Sequence, residues 1–127
     1  MSFFYIGVLG MLGVFCRYFS GYLINKIFSS PFPMSTFLIN VIGSFLIGFI
    51  YVLGVEKLQI SHELRLGIMV GFLGGFTTFS SYTLEAVKLL EEGKLSYAFS
   101  YLFLSPFVGI ILTFLGILFA RKLIILN

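Results

Sequence analysis

Three stretches of this 127-residue chain contain no charged residue, 27–55, 66–84 and 95–120, and residues 1–25 carry only Arg17. A helix that crosses the hydrocarbon core of a bilayer needs roughly 20 apolar residues. The four stretches therefore predict four spans, near 3–24, 34–54, 66–89 and 96–119. Only 10% of the residues are charged, whereas a soluble domain carries about 25%. The apolar runs are continuous rather than alternating, which excludes a transmembrane β-barrel. The connections hold a handful of residues each, so residues 1–127 read as a single four-helix domain in a lipid bilayer.

The ends and the charges narrow the class further. The first charged residue is Arg17, so the basic start of a cleaved secretory signal is missing. Cys16 is the only cysteine, which rules out an internal disulfide or a thiolate metal cluster. The net charge of +3 is dispersed and forms no basic stripe, so no nucleic-acid partner is expected. Four spans put Lys57, Arg65, Arg121 and Lys122 on one side and Lys26, Lys88 and Lys94 on the other. An excess of Lys and Arg in cytoplasmic loops normally sets orientation. A chain this evenly balanced hardly specifies one, and predicts insertion both ways as an antiparallel homodimer. Glycines recur in every span, among them Gly10, Gly13, Gly43, Gly48, Gly71 and Gly116. Small residues let helices approach closely where lipid supplies no hydrophobic drive.

One stretch breaks the apolar pattern, Gly71 to Glu85, GFLGGFTTFSSYTLE. Glycine weakens a helix interior by about 1 kcal/mol relative to alanine. Backbone groups freed within a membrane survive only where they are buried or line a cavity. Residues 71–78 thus predict a discontinuity near the middle of the third span. Carbonyls at such a break suit a cation, and the free N–H end suits an anion. The competing reading is that the glycines serve close packing alone. Phe79 and Tyr82 lie three apart on one helix face. Their ring edges are electropositive and could face an anion, or the pair could be ordinary packing.

GFLGGFTTFSSYTLE resembles the signature of the bacterial CrcB/Fluc fluoride channel family, GGxTTFSTF followed shortly by Glu. GMLGVFCRY resembles that family's Gly-rich first helix ending in Arg, and TFLINVIGSFLIGF its second helix with an Asn. The resemblance covers most of the chain, with several separated motifs in order. It implies a dual-topology homodimer with two antiparallel pores along the subunit interface. It also implies a structural sodium ion at the dimer centre, held by backbone carbonyls at Gly74 and Thr77. It places Phe79 and Tyr82 on the fluoride path, gives Asn40 an amide to donate to the ion, and puts Arg17 at a vestibule. Tyr82 stands where Phe is commoner, adding a hydroxyl to the ring. The family's hydroxyl track in the fourth helix is matched by Tyr101 and Ser105 but interrupted by Gly109, with Thr113 as the candidate substitute.

Fluoride holds its water strongly, so a selective pore must replace that water with donors, here Asn40, Ser80, Ser81 and Ser105, and still release the ion. The implied role is passive export of fluoride from the cytoplasm across the bacterial inner membrane. A small multidrug exporter would need a membrane-embedded carboxylate, and the five acids are expected in or beside loops, with Glu85 pairing with Lys88 on a solvated face. A non-transporting assembly protein would explain the glycines but not the clustered hydroxyls. An enzyme is not expected. His62 is the only histidine, the hydroxyls have no base in their span, and the Gly-rich stretch lacks the Lys of a phosphate-binding loop.

Overall fold

The computed structural model describes residues 1–126, and every regular element among them is helical. Helix α1 (Ser2–Ile27) leads through a Pro-containing turn into α2 (Met34–Tyr51). Pro33 stands just ahead of α2, where a missing N–H leaves no helical bond unmade. A π-helical turn, Val52–Glu56, extends α2. Helix α3 opens at His62–Leu66, where the Ser61 hydroxyl accepts the Leu64 amide, and continues through a π-helical stretch, Gly67–Leu73, to a last turn, Gly74–Phe76. Helix α4 (Phe79–Glu91) ends at Gly93, whose φ of 71° lies in the left-handed region that favours glycine. Helix α5 (Leu95–Ile125) completes the chain and contains Pro106.

Three helices are long and apolar enough to cross a membrane, Ser2–Ile27, Met34–Glu56 and Leu95–Ile125. The segment expected at 66–89 is divided between α3 and α4. The last helix also runs past the predicted 119. Arg121 ends the apolar run but not the helix, and its guanidinium pairs with Glu56 at the end of α2.

Small residues set the packing. An atom added at Gly75 would stand 2.6 Å from the Gly10 carbonyl oxygen, and one at Gly71 would stand 2.7 Å from that of Ile6. One added at Gly13 would fall on the Phe72 carbonyl oxygen. Helices α1 and α3 therefore touch backbone to backbone, as α2 and α5 do where Gly48 meets Thr113 and Gly116 meets Phe45. Most large side chains of α1 are exposed, and Gly13 is its only buried residue. So wide an apolar exterior would be a liability in water but suits lipid.

Candidate functional site

Between α3 and α4 only Thr77 and Thr78 leave helical geometry, at φ/ψ of −83°/159° and −151°/122°. The glycines ahead of them stay helical: Gly74 has φ −63° and ψ −37°. The discontinuity expected across 71–78 is thus confined to the two threonines, while Gly71 and Gly75 serve the contact with α1. Stopping a helix here requires a competitor for its backbone. Asn40 of α2 supplies it by donating from Nδ2 to the Thr78 carbonyl at 2.9 Å and accepting the Thr78 amide on Oδ1 at 2.8 Å. With that amide engaged elsewhere, the Gly74 carbonyl, its partner in a continuous helix, accepts no backbone hydrogen bond.

Side chains complete the turn. The Thr77 amide and hydroxyl both donate to the Leu73 carbonyl, at 2.9 and 2.8 Å. Thr78 caps α4, its hydroxyl accepting the Ser81 amide at 3.3 Å. Arg17 donates to the Thr77 carbonyl at 3.3 Å. The structure thereby brings Arg17, expected near a mouth, onto the break itself. Its neighbourhood is a groove of about 490 Å³ that also holds Tyr22, Ser35, Thr36 and Ser81.

A second groove, of about 310 Å³, runs beside the break and is lined by Asn40, Gly43, Ser44, Leu73, Gly74 and Phe79. Asn40 uses one of its two amide hydrogens on Thr78 and keeps the other. The hydroxyl of Ser44 donates to the Asn40 carbonyl at 2.7 Å. Phe79 is 76% exposed. A third groove, of about 500 Å³, shares Ser44 and adds Ser105, Gly109 and Thr113. Ser105 has a buried hydroxyl oxygen with no hydrogen-bond partner. An atom added at Gly109 would stand 3.3 Å from the Ser44 hydroxyl. The hydroxyl that α5 lacks at Gly109 is therefore matched in space by one from α2. Thr113 donates to the Ser44 carbonyl at 2.9 Å.

Phe79 and Tyr82 have ring centroids 5.8 Å apart, yet their surroundings differ. Tyr82 is half-buried and meets Tyr101 edge to face at 5.0 Å. Tyr101 is wholly buried and donates to Glu85 at 3.1 Å, while Thr36 donates to the other Glu85 oxygen at 2.7 Å. This corrects the reading of Glu85 as a solvated partner of Lys88. Glu85 lies almost two turns into α4, three residues after Tyr82, and so faces α2 and α5. That spacing was the signal for it, and Ser44, four residues after Asn40, carried a similar one. Ser80 is exposed. Ser105 does not share the groove of Phe79; only Ser44 links the two cavities.

A family model described as CrcB-like protein, Camphor Resistance (CrcB), matches residues 4–117. Similar curated proteins include one named Fluoride-specific ion channel FluC from Geobacter sp. (strain M21), 43% identical over 94% of this chain and 96% of its own. A protein of the same name from Geotalea daltonii is 42% identical over 92% of this chain and 94% of its own. Fluoride-specific ion channel FluC 2 from Listeria innocua is 38% identical over 98% of this chain and 94% of its own.

Proposed function

We infer the function from family membership: this chain belongs to the CrcB-like protein family. It is a multi-pass membrane protein and a fluoride-selective ion channel, not an enzyme. The observation that carries this is full-length similarity, at about 40% identity, to proteins named fluoride-specific ion channels. Neither a small multidrug exporter nor a non-transporting assembly protein accounts for those relatives.

We read α3 and α4 as the two halves of one broken membrane span. Fluoride then passes beside the break. The spare Asn40 N–H, the hydroxyls of Ser80, Ser81 and Ser105, and the ring edges of Phe79 and Tyr82 replace its water stepwise. The Tyr101 hydroxyl, expected on the path, is committed to Glu85. Ring edges attract the anion without binding it as tightly as a cation would, which keeps exit possible. Arg17 raises the local potential for anions from the break rather than from the mouth.

The chain works as an antiparallel homodimer with mixed orientation in the bacterial inner membrane. Nearly balanced Lys and Arg on the two sides support this, and so does Gly74, which is exposed on the face of the break. The unpaired Gly74 carbonyl and the Thr77 carbonyl suit a hard cation such as Na⁺. Among the described residues no cluster of His, Cys, Asp or Glu offers an alternative. Such an ion adds a fixed positive charge at the dimer centre.

The cellular test uses bacteria stripped of fluoride export. Hydrogen fluoride enters as the neutral acid and dissociates inside, so these cells accumulate fluoride from acidic medium. Expression of this chain is expected to hold internal fluoride low. Accumulation equal to that of the empty-vector strain would refute the function.

A further inference from the structure

Ring edges alone give the hydroxyl of Tyr82 no task. A phenylalanine would present the same edge, yet the hydroxyl donates to the Leu102 carbonyl at 2.8 Å. That carbonyl is unusual because Pro106 lies four residues beyond it within α5. Proline has no N–H, so Leu102 has lost its helical donor. In a lipid-embedded helix such a carbonyl must find a donor elsewhere. Ser105, on the same turn, does not supply one, since its hydroxyl makes no hydrogen bond. The donor comes instead from another helix.

The bond fixes more than a carbonyl. Tyr82 meets Tyr101 edge to face at 5.0 Å and an interplanar angle of 73°. Anchored at its hydroxyl and against this buried ring, its remaining ring neighbour is Phe79, at 5.8 Å and 43°. We propose that Tyr82 is a positioning residue: its hydroxyl, held by the carbonyl that Pro106 leaves free, sets the angle of the ring beside Phe79. The proposal rests on the fluoride-channel reading above. A proline in α5 and a hydroxyl in α4 then form one device, joined at the Leu102 carbonyl.

Four proteins test it: the parent, Tyr82→Phe, Pro106→Ala and the double variant, each reconstituted in vesicles and each unfolded thermally in detergent. Tyr82→Phe is expected to unfold earlier and to pass fluoride about fivefold more slowly per dimer, the equivalent of one ordinary hydrogen bond. Pro106→Ala returns an amide to Leu102. The double variant should therefore unfold at the temperature of Pro106→Ala, and both should pass fluoride about fivefold more slowly than the parent, because in neither is the Tyr82 ring anchored. Flux that recovers together with stability would overturn the positioning role and leave only a satisfied carbonyl. Parent flux and parent stability in Tyr82→Phe would overturn the bond as well. Should Pro106→Ala fail to assemble, the fluoride-to-chloride flux ratio of Tyr82→Phe decides. A fall supports positioning, and no change overturns it. A parent protein that passes no fluoride would refute the channel reading instead, while the unfolding comparison would still report on the bond.

Discussion

Asn40 holds both polar groups of one peptide residue, the amide and the carbonyl of Thr78, as a neighbouring strand would. Removing it leaves two backbone groups without partners inside the membrane. Asn40→Ala should destabilise the protein by about 1–3 kcal/mol, the range for a buried group left unpaired, measured as a lowered unfolding midpoint in detergent. An unchanged midpoint would mean that the break holds itself. Phe79 presents the opposite case. It is 76% exposed in the subunit, so Phe79→Ile should change subunit stability by only about 0.5 kcal/mol. Fluoride flux should nevertheless fall by about an order of magnitude, since an aliphatic side chain has no electropositive edge. A Phe79→Ile dimer that empties vesicles at the parent rate would remove ring edges from the mechanism.

At the scale of elements, adjacent glycines separate two functions. Gly75 is packed against the Gly10 carbonyl, whereas an atom added at Gly74 meets only the Met69 carbonyl oxygen, at 3.9 Å. Gly75→Val should therefore force α1 from α3 and cost about 1–3 kcal/mol of subunit stability, as overpacking does. Gly74→Val should leave the subunit folded and instead reduce dimerisation, read as a shift toward monomer on size exclusion. Equal effects of the two on subunit unfolding would contradict this division. Charge-free length made the long helices readable from sequence, because it is a local property of the chain. The stop at Thr77 and Thr78 was not readable in the same way. Glycine has the weaker propensity, but helix termination here is decided by Asn40, which lies 38 residues upstream of Thr78 and on another helix. Glu85 is hidden from the sequence for a related reason: a carboxylate near a loop reads as solvated until the hydroxyls of Thr36 and Tyr101 are brought to it by folding.

For the whole molecule, the even distribution of Lys and Arg predicts insertion in both orientations. A cysteine placed at one terminus, in a Cys16→Ser background because Cys16 is exposed, should label with impermeant reagent from both faces of intact cells. Labelling from one face would mean a single orientation. Conduction itself is the claim on which the other roles depend, and a fluoride-selective electrode reads it directly. Vesicles holding potassium fluoride and the purified protein should retain their fluoride until valinomycin lets potassium follow, because an uncompensated anion current stops itself. They should then empty, while matched vesicles holding potassium chloride keep their chloride. Fluoride retained after valinomycin, or chloride lost as fast as fluoride, would contradict a fluoride-selective channel.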